Sequence, residues 1–244
     1  MGAVSPRAPG SSWLAALALL FGCGSGCGAG EQAAPSAREA SFVDSRRCQA
    51  CHAAEWERWT GSDHDLAMQE ATEETVLGDF DDATFEQFGV VTRFFRRDGR
   101  WFVNTEGPDG ELADFEISYA FGVDPLQQYL IELPGGKLQC LTIAWNVERA
   151  RWYSLYPDER IAPDDALHWT GRYQRWNSMC ADCHSTRVEK HYDEASDSYQ
   201  TSWHEIDVGC QACHGPGSEH LKWAEKHGAE EPDDGHRGLT TGLA

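Results

Sequence analysis

Cysteine and histidine recur in this sequence at one fixed spacing: Cys48-Gln49-Ala50-Cys51-His52, Cys180-Ala181-Asp182-Cys183-His184 and Cys210-Gln211-Ala212-Cys213-His214. With the cysteines at i and i+3 and the histidine at i+4, a single helical turn presents all three side chains on one face. Two thiols so placed add to the two vinyl groups of a haem as thioethers. The histidine then lies beneath the iron as its proximal ligand. The spacing therefore predicts three covalent c-haems, held by Cys48, Cys51, Cys180, Cys183, Cys210 and Cys213, with His52, His184 and His214 as proximal ligands. Paired C-x-x-C strings also build tetrahedral zinc sites. Zinc does not require a histidine directly after every pair, and an exported chain favours haem or disulfides over reduced zinc thiolates.

A low-spin haem needs a second axial ligand. Seven histidines lie outside the strings: His64, His168, His191, His204, His220, His227 and His236. His64, in Ser62-Asp63-His64, and His220, six residues after His214, are the leading distal candidates. His168 and His204 follow. His220 is expected to serve a haem other than that of His214, because Gly215-Pro216-Gly217 should turn the chain sharply away. Met68 and Met179 are read as core packing before axial thioethers, and Cys140 as a small buried hydrophobe.

The first string with Trp59, Ser62-Asp63-His64 and Ala67-Met68, and the later Cys213-His214-Gly215-Pro216-Gly217 run ending in His220, resemble the cytochrome c-554 and c-prime family of multihaem cytochromes. In particular they resemble bacterial members that join the haem region to tetratricopeptide repeats. The resemblance spans residues 42–228. It implies closely packed, histidine-ligated haems and electron transfer at the cell envelope. The sequence carries three haem strings, not the four of the family's tetrahaem members, and shows no repeat of helical-hairpin period.

The elements that must position these strings follow from patterning. Residues 42–74 read as a first haem region with a helix-like face of Trp56 and Trp59. Residues 75–160 read as an insertion of five or six antiparallel strands: Val90–Phe95, Trp101–Thr105, Phe115–Phe121, Gln127–Leu133 and Lys137–Trp145. Turn signals at Asp98-Gly99, Pro108-Asp109-Gly110 and Pro134-Gly135-Gly136 separate them. Residues 161–228 return to short helices and loops, and 229–244 form a polar tail that does not close like a domain end, as in a truncated gene product. The expected class is α+β: a multihaem cytochrome c region of short helices and loops with a β-rich antiparallel insertion.

At the N-terminus, Arg7 precedes an apolar run from Trp13 to Phe21, too short to span a bilayer. Leu20-Phe21-Gly22-Cys23 resembles a lipobox, with residues 1–22 as signal peptide, Cys23 lipidated and 23–41 a flexible tether. The alternative is an ordinary signal peptide cleaved between Gly22 and Gly30. Forty acidic against twenty basic residues give a formal charge of -20. That balance argues against nucleic acid and suits docking to a basic redox partner protein. Two functions follow: an electron carrier at the periplasmic or membrane-anchored envelope, or a multihaem oxidoreductase reducing or oxidising a small nitrogen or sulfur compound at an open iron. Arg172, Tyr173 and Arg175 are the spare polar residues near the second string, and no other catalytic constellation is present, so the electron carrier is favoured over the enzyme. A non-redox reading, the insertion as an interaction module, is untested by sequence.

Overall fold

A computed structural model describes residues 40–228 and 236–239. The proposed signal peptide, Cys23, the tether up to Glu39 and most of the polar tail lie outside the described residues.

Nine strands form one antiparallel sheet: β1 (Gln69–Glu70), β2 (Ala83–Gln87), β3 (Val90–Arg97), β4 (Arg100–Glu106), β5 (Leu112–Phe121), β6 (Leu126–Leu133), β7 (Lys137–Cys140), β8 (Ile143–Asn146) and β9 (Arg151–Ser154). The order is β2-β3-β4-β5-β6-β8-β9, with β1 on β5 and β7 on β6. Two-residue turns make the first hairpins. Phe88-Gly89 and Asp98-Gly99 all sit at positive φ, the backbone twist that matches antiparallel strands. The expected insertion is thus strand-built, with more strands than the five or six expected. Lys137–Trp145 divides into β7 and β8 because β6 pairs with each at a different end: Leu130–Leu133 with β7, and Leu126–Gln127 with β8.

Period-two alternation decides which face is buried. Phe94, Val103, Ile117, Tyr129 and Ile131 point to one side and meet Phe80, Trp145, Trp152 and Trp169 in the main core. Phe94 and Trp152 stack with centroids 3.5 Å apart. Each such side chain contributes roughly 1.5–3 kcal/mol by leaving water. The other side of β6 and β7 supplies Leu130, Leu138 and Cys140 to a smaller cluster with Met68, Phe121, Trp176 and Ala181. This second cluster joins the sheet to the strings.

Helices are few and short: α1 (Ala53–Trp59), α2 (Trp176–Met179), α3 (Ala181–His184), α4 (Cys210–His214) and α5 (Ser218–His227), with 3₁₀ turns at Ser45–Ala50 and Arg172–Gln174. The helix-like face of Trp56 and Trp59 lies on α1, which stops at Trp59, and Gly61 follows at positive φ. Between α3 and α4 the chain forms a narrow arm, bridged at Thr186↔Glu205, Glu189↔Ser202 and Asp193↔Ser198.

Candidate haem sites

Each string is built on a turn, but on three different ones. The third lies wholly within α4, with Gly215 at positive φ ending it. The second straddles the α2–α3 junction at Cys180. The first divides between the 3₁₀ turn and α1, yet His52 N–H still donates to Cys48 O at 2.9 Å. The helical turn required by the spacing is therefore kept. Cys51, Cys183 and Cys213 are exposed while Cys48, Cys180 and Cys210 are half-buried. A planar group seated on each string would thus have one sulfur anchored in the protein and one at the rim.

The first and third strings come together. A cleft of about 610 Å³ is lined by Cys48, His52, Trp56, Trp59, His64, Cys210, Cys213 and His214. Interaction between the two cysteines pushes the Cys48 thiol well above its ordinary range and lowers Cys210 to about 7. They lie 162 residues apart in sequence, and polar ties hold the two strings together. Ser45 N–H and Oγ both donate to the Glu205 carboxylate at 2.9 Å. Val43 N–H donates to Gln211 Oε1 at 2.9 Å, and the Gln211 amide returns a bond to Val43 O. Trp59 Nε1 donates to Val208 O at 2.9 Å. Sequence reasoning did not find Ser45, Glu205 or Gln211, because no local pattern marks a partner so distant.

The second string docks separately, against the sheet. Asn177 of α2 accepts from Leu138 N–H at 2.8 Å and donates to Gly136 O and to Thr201 Oγ1. Cys140 is buried, and its sulfur stands 3.9 Å from that of Cys180. Cys140 is thus a buried neighbour of a haem-string cysteine. His184 Nδ1 lies 3.0 Å from Ala67 O, and Phe121 meets the ring edge-on. A carbonyl only accepts, so Nδ1 carries the proton and Nε2 keeps its lone pair, the state a metal-ligating imidazole needs. Met68 is fully buried beside Ser185, at 3.6 Å, and Met179 is exposed.

The four distal candidates separate. His64 lines the shared cleft. His220, on α5, faces His52 with ring centroids 6.0 Å apart and planes within 26°. Its Nδ1 donates to Arg237 O at 2.8 Å, again leaving Nε2 free. His168 does not line the shared cleft; it lines a separate cavity with Thr92, Thr105 and Arg160. There its Nδ1 accepts from Thr170 N–H, so Nε2 bears the proton. Burial holds it below its ordinary pKa. His204 spends Nε2 on Val43 O at 3.0 Å. Arg175 pairs with Asp197 at 3.8 Å, and Tyr173 is exposed beside Arg172.

The donor set fits haem c: paired thiols and an adjacent imidazole on one turn, repeated, with His184 and His220 oriented by main-chain carbonyls. Such a set defines a c-type cytochrome. Residues 47–83 and 145–215 match the family model described as cytochrome c554 and c-prime, which supports a c554-like cytochrome family. Those stretches carry all three strings, and the unmatched residues between them hold most of the sheet. The crystal structure of the outer cell wall cytochrome OcwA is similar at 17% identity and a TM-score of 0.48, covering 80% of this chain and 36% of that one. The present chain therefore spans about a third of the length of OcwA. No curated protein sequence matches. The family is one of electron-transferring cytochromes with covalently bound haem c.

Proposed function

We propose that this chain carries three c-haems and passes electrons among them at the bacterial cell envelope. The observation that carries the reading is the pairing of His52 with His220, 6.0 Å between centroids. Two imidazoles ligating one metal from opposite sides stand about 6 Å apart, since metal–imidazole bonds are about 2 Å. In this reading His52 and His220 ligate the haem of Cys48 and Cys51. His214 and His64 ligate the haem of Cys210 and Cys213, and His184 is proximal to the haem of Cys180 and Cys183. His220 thus leaves its own string for its neighbour's. Iron held by two histidines exchanges electrons without binding substrate, which suits a carrier.

The shared cleft, lined by both Cys48 and Cys210, supports close approach of two haems, the condition for fast transfer between them. Export as a lipoprotein anchored through Cys23, and acidic docking to a basic redox partner, complete the proposal. The test is electron paramagnetic resonance of the oxidised protein and of two variants. His220→Ala and His64→Ala should each convert one low-spin haem to high-spin, at different haems. Unchanged spectra in both would refute the ligand pairs.

A further inference from the structure

The described residues near the end of the chain fold back onto α5. Gly238 sits at φ +77°, and a Cβ placed on it would stand 2.7 Å from Glu219 O and 3.0 Å from His220 N. Main chain therefore lies directly on the first turn of α5, at a distance only glycine permits. Leu239 N–H donates to His236 O at 2.7 Å, closing residues 236–239 as a turn. The carbonyl of Arg237 points from this turn into Nδ1 of His220. The Arg237 guanidinium lies 5.8 Å over Trp223, whose ring is parallel to that of His220 at 6.1 Å.

We propose that residues 236–239 are a clamp that positions His220 as an axial ligand, with the Arg237 carbonyl as the orienting acceptor and Gly238 as the residue that lets it approach. The inference rests on the reading of His220 as a ligand. A histidine has two ring nitrogens, and only the one without a proton can bond a metal. Accepting the Nδ1 proton fixes that choice and limits ring rotation. It also makes Nε2 more basic, hence a stronger donor to ferric iron. His52 needs such help from its partner's side, because it is exposed and α1 buries no residue. His220 likewise sits on a helix with no buried residue. Packing alone does not hold the ring, and the clamp supplies what packing does not.

Four variants of the haem-loaded chain test this. Gly238→Ala forces the turn off α5, and a chain ending at residue 235 lacks it altogether. Arg237→Ala keeps the carbonyl and removes only the guanidinium, and His220→Ala removes the ligand itself. The readouts are the low-spin signal in electron paramagnetic resonance and cyanide binding to the ferric protein, with haem count checked by mass. Cyanide binds only where the axial histidine lets go. Gly238→Ala and the shortened chain should bind cyanide at one haem about 10–100-fold more tightly, the usual effect of losing an orienting partner. Arg237→Ala should behave as wild type. If His220→Ala changes one haem while Gly238→Ala and the shortened chain do not, the clamp is wrong and the ligand stands. If Arg237→Ala matches Gly238→Ala, the side chain and not the carbonyl does the positioning, and the proposal falls. An unchanged His220→Ala spectrum defeats the ligand reading itself.

Discussion

The sheet and the haem strings are built on opposite principles. The sheet closes on itself: twelve buried residues, five of them Trp or Tyr, form one core, and each strand from β3 to β6 pairs on both sides. The helices around the first and third strings, α1, α4 and α5, are five to ten residues long, and α1 and α5 bury nothing. Isolated helices of that length are marginal in water. The polar ties of Ser45, Glu205 and Gln211 fix where the chain passes but bury little apolar surface. What this region lacks is apolar mass, and that is what a porphyrin brings. One part of the molecule folds by its own side chains, and the other is completed by its cofactor.

The largest expected effect separates the two directly. Chain produced without a haem-attachment system should keep slow amide exchange in β3–β6 and lose it in α1, α4 and α5. Equal protection in both regions, or equal loss, would break the comparison. Next comes Trp152→Ala, which removes the ring stacked on Phe94. It should cost about 3–5 kcal/mol, read as a large fall in melting temperature with the haem spectrum of the folded protein unchanged. A shifted haem spectrum would mean that the two regions are not independent.

A smaller effect concerns charge near the strings. Burial, with Glu205 and Asp65 nearby, raises the Asp207 carboxyl from 3.8 to about 6. A group whose pKa is raised by folding binds its proton more tightly in the native state. Its contribution is therefore full below pH 3.8 and lost as pH rises through about 6. Asp207→Asn should then stabilise the protein above that pH by about 1 kcal/mol, allowing for its half-exposed position. A Tm difference independent of pH would contradict this. Smallest is Arg100→Gln on the outer sheet face. Its bond to Glu116, at 2.7 Å, is exposed, so thermal melting should register no more than about 0.5 kcal/mol.

Much of this was legible in the sequence, because local chemistry announces itself. The three strings read directly, since thiols and imidazole must share a turn. The Asp98-Gly99 and Pro134-Gly135-Gly136 turns read equally well, since both demand positive φ. Strands β2 and β9 did not. Ala83–Gln87 sets Phe85 among Thr84, Glu86 and Gln87, and Arg151–Ser154 is too short to show a period. The union of the first and third strings was also hidden. It depends on hydrogen bonds between residues some 160 apart, such as Ser45 to Glu205. His220 was expected to leave its own string, but which string receives it is decided by tertiary contact alone.

The central claim is the number of covalent haems. It is tested by intact mass under denaturing conditions, after export from a host with a haem-attachment system. The account predicts a single species carrying three haems, falling to two when Cys48 and Cys51 are both replaced by Ala. A chain of unmodified mass, or one whose added mass is stoichiometric zinc under native conditions, would contradict it.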